Sequence, residues 1–166
     1  ETSHMWFGDY VTMKWFDDVW TKEVFANYFA SRIVEPLYPD VNHRLNFIRD
    51  YIPASYSEDR TSGANPIKQD LDNLRNAGLV YGNIIYDKSP VIMEMLVRVL
   101  GEDAFQQGIR EYLTTYAYGN ATWEGLIRIL NKYTEEDLAA WSEVWVNQKG
   151  MPEITASVKD GELVVE

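Results

Sequence analysis

The 166-residue sequence contains no cysteine. A disulfide framework and any thiolate metal centre are therefore excluded, and the redox character of the compartment is left open. Histidine is nearly as scarce, with two in the chain. Basic residues are outnumbered, 15 Lys and Arg against 26 Asp and Glu, for a formal net charge of −11. A chain of that sign repels phosphate backbones, which argues against nucleic acid as a partner. The acidity either serves solubility alone or gives a cleft that attracts cationic groups, such as the free amino terminus of a peptide. No apolar run approaches the ~18 residues of a membrane span. Internal repeats, low-complexity segments and a signal-peptide pattern are also missing. There is no initiator Met, and the opening "ETSH" reads as a stretch from inside a longer protein. Localisation is left unassigned.

What is present suits one globular domain with a real core. Hydrophobic residues make up 46% and charged residues 25%, which is not the composition of a disordered chain. Six Trp and eleven Tyr supply a packed core, a cleft wall or a domain interface.

The patterning is mainly α. A short helix is predicted from Glu1 to Phe7, stopping near Gly8, and the β-branched, aromatic "DYVTMKWF" reads as extended or loop. A long helix follows in "DDVWTKEVFANYFASRIVEPLYPD". Val19, Phe25, Phe29, Ile33 and Leu37 form its apolar stripe, widened by Trp20 and Tyr28. Asp17 or Asp18 is its expected N-cap, and Pro39 ends it. The next helix spans about Val41 to Tyr51 and is interrupted near Pro53. "SEDRTSGANPIKQDLDN" reads as a long surface loop. Ser89 and Pro90 open a helix that Gly101 closes. Phe105, Ile109 and Leu113 share a face of the helix after that. "TWEGLIRILNKY" is capped by Thr122, and "TEEDLAAWSEVWVNQKG" by the Thr134–Asp137 pattern, with Gly150 at its end. Two β-type runs around "KDG" in "EITASVKDGELVVE" form a hairpin signal. A lone hairpin is marginal in water, so residues 153–166 are expected to begin a following β domain, with 1–152 as the helical unit before it.

The chemistry-bearing pattern lies at the start. Zinc hydrolases place His-Glu-x-x-His on a helix, so that two imidazoles share one face and the Glu serves as general base toward the attacking water. "ETSH" supplies Glu-x-x-His, and a preceding His would stand one position before Glu1. Eighteen residues separate His4 from Glu23, which lies on the long helix.

The stretch "ETSHMWFGDYVTMKWFDDVWTKEVFANYF" resembles the zinc aminopeptidases related to aminopeptidase N and leukotriene A hydrolase, in which His-Glu-x-x-His is followed by eighteen residues and a Glu. "YDKSPVIMEML", "LGEDAFQQGIREYL" and "WVNQKGMPEI" are similar to further family segments, so the resemblance covers nearly the whole chain. It implies the helical half of a thermolysin-like catalytic domain, Zn2+ as cofactor and a peptide as substrate. It also implies roles: His4 and Glu23 as zinc ligands, Glu1 as general base and Tyr86 as oxyanion stabiliser, the last a sound use for a phenol O–H. Asp18 could orient a ligand or simply cap its helix.

Three departures accompany the resemblance. The leading His is not among the 166 residues, and neither is the family's amine-binding Gly-x-Met-Glu-Asn segment. Val24 stands where the family has Gly after the ligand Glu, and Ser89-Pro90 replace its Gly and small residue after the Lys. Two layers of expectation follow. The parent protein releases amino-terminal residues from peptides, whereas this chain alone binds zinc poorly and does not hydrolyse peptides. A homologue that has lost catalysis and serves as a binding or scaffold module is the alternative, favoured by Val24 alone. Apolar surface is expected to drive self-association.

Overall fold

The computed structural model describes residues 1–152 and 154–165. The architecture is mainly helical, with a small antiparallel hairpin at the end. The first segment is a single 3-10 turn, Thr2–Met5, and not the α-helix predicted for residues 1–7. The amides of Asp9, Tyr10 and Val11 reach back to the carbonyls of His4, Met5 and Trp6, bonds spanning five residues. Gly8 permits this widening because it sits at φ +132°, a value that L side chains resist. The chain then enters strand β1 (Val11–Met13), as "DYVTMKWF" suggested.

Helix α1 (Val19–Val34) follows a 3-10 turn at Phe16–Asp18. Val19, Trp20, Phe25 and Tyr28 are buried as the stripe predicts. Ile33 and Leu37 are not: Ile33, in the last turn of α1, is 53% exposed, and Leu37, beyond the helix in the turn Glu35–Leu37, is 67% exposed. Asp18 occupies the N-cap position, yet its side chain makes no capping bond. It is buried and faces the Lys68 ammonium, with Oδ1 3.3 Å from Nζ.

Helix α2 (His43–Asp59) runs straight through Pro53, well past the predicted stop. Proline forfeits the bond to the carbonyl four residues back, here that of Arg49. Pro53 and Arg49 are both exposed, so water can take that carbonyl and the helix survives. Residues 60–73 are not a free surface loop either. Ala64, Ile67 and Leu71 are buried, the Trp15 indole donates to the Leu71 carbonyl at 2.7 Å, and the Lys68 amide donates to Val146.

A π-helical turn, Ile84–Lys88, leads directly into α3 (Ser89–Leu100). Ser89 is therefore no N-cap, and its hydroxyl donates back to the Ile85 carbonyl within the turn. Gly101, at φ +81°, separates α3 from α4 (Glu102–Thr115). Phe105 and Ile109 of α4 enter the core, with Leu113 partly buried beside them. Strand β2 (Gly119–Ala121) pairs in parallel with β1, Val11 opposite Gly119 and Met13 opposite Ala121, and so ties the amino-terminal segment to the connection that follows α4. Helix α5 (Trp123–Leu130) is capped by Thr122, whose hydroxyl accepts from Gly125 N–H. Asp137 caps α6 (Leu138–Ser142), and Thr134 accepts from Glu136 N–H. A second π turn, Glu143–Asn147, closes α6 short of the predicted Gly150.

One core unites these helices. Trp20 of α1 and Trp123 of α5 meet at 4.6 Å between ring centroids, and the Trp123 indole donates to Ser142. Strands β3 (Ala156–Lys159) and β4 (Glu162–Val165) form the predicted hairpin, turning through Asp160 and Gly161, both at positive φ as a tight two-residue turn requires. Among the described residues no helix is long and apolar enough to cross a membrane.

The buried Asp18 gives the stability a pH signature. Burial pushes its carboxyl up to about 6, against the opposing pull of Lys68, while the Asp17 and Glu124 charges add to the rise. A carboxyl raised on folding binds more protons in the native state, so stability is highest below the unfolded value near 4 and falls as pH climbs to about 6. In Asp18→Asn this decline between pH 4 and 6 is expected to vanish, measured as thermal midpoint against pH. An unchanged profile would assign it to other groups.

Candidate functional site

The site begins with Phe7. Its ring stacks on Phe25 at 4.4 Å and on Phe29 at 5.1 Å, both on α1. This pins the turn Thr2–Met5 against α1 and fixes where His4 stands. His4 Nδ1 lies 3.1 Å from the Phe7 carbonyl. A carbonyl only accepts, so Nδ1 is the donor in this bond, and Nε2 is the ring nitrogen turned toward Glu23. That nitrogen lies 3.8 Å from Glu23 Oε2, with the two side chains 27% and 14% exposed. The structure therefore brings together His4 and Glu23.

Two atoms each ~2.0–2.1 Å from one zinc at the tetrahedral angle stand about 3.3–3.4 Å apart. The observed 3.8 Å is wider than that by about half an ångström. The imidazole is oriented from behind by a backbone carbonyl, as ligand histidines generally are. The residues present fit a zinc ion as two ligands of a set. Among the described residues, no third His, Cys, Asp or Glu joins them in a group. Glu1 lies one turn before His4, its carbonyl accepting the His4 amide and its side chain exposed.

Two neighbours went unnoticed in the sequence. Lys22 Nζ donates to the other oxygen of Glu23, Oε1, at 2.7 Å. Burial pulls the Lys22 ammonium down, but the Glu23 hydrogen bond and the charges of Glu23, Tyr81 and Tyr86 outweigh it and hold the group above its ordinary value. Tyr81 stacks on Tyr86, centroids 6.1 Å apart. Neither residue belongs to a spacing pattern; only folding places them here. Gly8 also borders the site. A Cβ there would lie 3.4 Å from the His4 carbonyl oxygen and 3.6 Å from Nδ1.

Tyr86 sits on the π turn Ile84–Lys88, which packs against α1 and α2. It is 39% exposed. Burial and then the Glu23 charge raise its phenol above the ordinary value, only partly offset by Lys22, so the group is an O–H donor at neutral pH. The turn is held by Lys88, whose buried ammonium donates to Asp59 Oδ1 at 2.8 Å and to the Gly150 carbonyl at 3.1 Å. Asp18 is not part of this site, because its carboxylate faces Lys68. Val24 is fully buried in the core cluster.

An imidazole and a carboxylate from separate segments thus meet on a helical framework, and the Glu23 charge is felt by the Tyr86 phenol. Comparison with known proteins is more particular. The family profile described as the Peptidase family M1 domain matches residues 1–145, and the chain belongs to that family. It is similar to a probable aminopeptidase 1 of Sulfurisphaera tokodaii, 30% identical over 159 residues that make up 96% of this chain and 20% of that protein. It is 32% identical over 157 residues to a puromycin-sensitive aminopeptidase of Caenorhabditis elegans, covering 95% of this chain and 17% of the relative. Against an aminopeptidase N of Lactococcus lactis subsp. lactis (strain IL1403) the identity is 34% over 166 residues, 99% of this chain and 20% of the relative. The chain thus spans about a fifth of the length of these curated relatives.

Proposed function

We propose that the chain is the helical part of the catalytic domain of a zinc aminopeptidase that releases amino-terminal residues from peptides. The observation that carries this reading is the approach of His4 Nε2 to Glu23 Oε2 across eighteen intervening residues. His4 and Glu23 would hold the metal, which when bound supplies Lewis-acid polarisation of the scissile carbonyl. The Phe7 carbonyl keeps His4 in the tautomer that leaves Nε2 free. Glu1 takes a proton from the attacking water and passes it to the leaving amine. Tyr86, protonated at neutral pH, donates its O–H toward the developing oxyanion. The names of the relatives support amino-terminal peptides as the substrate class.

The scaffold alternative rests on Val24, and Val24 packs into the core. With two ligands in the described group, the chain alone is expected to take up zinc weakly and to show no steady turnover. Atomic absorption after dialysis and an aminoacyl-nitroanilide assay check both. Stoichiometric retained zinc with steady turnover would overturn that expectation. Equal zinc uptake by His4→Ala and the unaltered chain would overturn the ligand assignment.

A further inference from the structure

The two oxygens of Glu23 have different partners. Oε2 faces His4 Nε2 at 3.8 Å, and Oε1 accepts from the Lys22 ammonium at 2.7 Å. Lys22 is not a loose surface lysine. Its side chain is 28% exposed, and its Cδ passes 3.7 Å from where a Cβ on Gly8 would stand. Its charge is felt by the phenol of Tyr86. The side chain thus runs past Gly8, and the ammonium ends on Glu23 Oε1. A carboxylate oxygen engaged in a charge-assisted bond is the poorer metal donor of the two, which favours ligation through the other. A fixed positive charge in contact with a ligand also opposes the arrival of a cation.

On this basis, and resting on the reading of Glu23 as a ligand, we propose that Lys22 is a positioning residue. It confines Glu23 to one-oxygen ligation and holds down the cation affinity of the His4–Glu23 pair. Outer partners of metal ligands commonly change affinity ten- to a hundredfold. Here the sign is reversed: the outer partner is a cation, and removing it tightens the site.

The test is a Zn2+ titration of the isotopically labelled 166-residue chain, followed by NMR at the His4 ring and the Glu23 carboxylate. Lys22→Met is expected to bind Zn2+ about tenfold more tightly than the unaltered chain. Lys22→Arg, which keeps the charge and the donor, is expected to match the unaltered chain within about twofold. The Glu23 carboxylate shift on Zn2+ binding should move to a two-oxygen value in Lys22→Met only. Thermal midpoints of all variants identify any loss of fold, which a charge effect does not require. Equal or weaker binding by Lys22→Met, while Glu23→Gln still weakens binding, overturns the proposal alone. Unchanged binding by Glu23→Gln removes Glu23 from the ligand set, and the underlying reading falls with the proposal.

Discussion

Replacing Asp59 with alanine is expected to lower the unfolding free energy by about 3–5 kcal/mol, seen as a lower urea midpoint. The reason is the partner left behind. Lys88 is 5% exposed, and its ammonium has Asp59 Oδ1 and the Gly150 carbonyl as acceptors. Without the carboxylate, a full positive charge remains buried against one carbonyl. The pair itself is a poor source of net stability, since desolvating both ions offsets most of their attraction. The double variant Asp59→Leu with Lys88→Met is therefore expected to recover most of the loss. A cost below about 1 kcal/mol for Asp59→Ala would show that water reaches the ammonium. The damage should also be felt by Tyr86, two residues from Lys88 in the same turn.

The second large effect is expected at Phe7. Phe7→Ala should cost about 3–5 kcal/mol, the range for losing a buried aromatic ring. Phe7 is 6% exposed and stacks on both Phe25 and Phe29. The stability loss is half of the result. Because the stack holds the turn Thr2–Met5 on α1, the His4 ring should lose its contact with Glu23. His4→Ala, by comparison, removes a partly exposed side chain outside the core and should cost far less. Loss of cross-relaxation between the His4 ring and the Glu23 side chain in Phe7→Ala would support this. Retention of that contact, with a stability loss near zero, would show that the turn is held by its backbone bonds instead.

Local chemistry made much of this fold legible. Thr122 caps its helix as its place before an apolar run suggests, whereas in the Thr134–Asp137 pattern it is Asp137 that becomes the N-cap, with the helix starting at Leu138. Gly101 breaks between α3 and α4, and Asp160-Gly161 turns the hairpin, because both need positive φ. What the sequence concealed depends on contacts distant along the chain. Strand β2 has three residues and exists only because β1 lies beside it. The segment 60–73 reads as polar, yet three apolar residues spaced along it plug the core. Pro53 looks like a helix end until its exposure shows that the freed carbonyl can be hydrated. Asp18 looked like a cap because it sits at the right position, but Lys68, fifty residues on, claims its carboxylate.

The candidate site divides in the same way. His4, Glu23 and Tyr86 stand out through spacing and family resemblance, and the structure sets His4 against Glu23 and brings the Glu23 charge to bear on Tyr86. Lys22 and Tyr81 carry no such signature. Adjacent residues on a helix point about 100° apart, so Lys22 would not ordinarily meet Glu23. Its long side chain bends back all the same, and its ammonium reaches Glu23 Oε1 at 2.7 Å.

The π turn before α3 acts as an angular spacer. A π turn carries one residue more than the α-helical turn it replaces, so everything ahead of it is rotated by about 100° relative to an uninterrupted helix. The direction in which Tyr86 points is thereby written in residue count, not in side-chain chemistry. Shortening Ile84–Lys88 by one residue would let α3 run back as a regular helix and turn the phenol by about that angle. The reach of this tyrosine is a matter of phase.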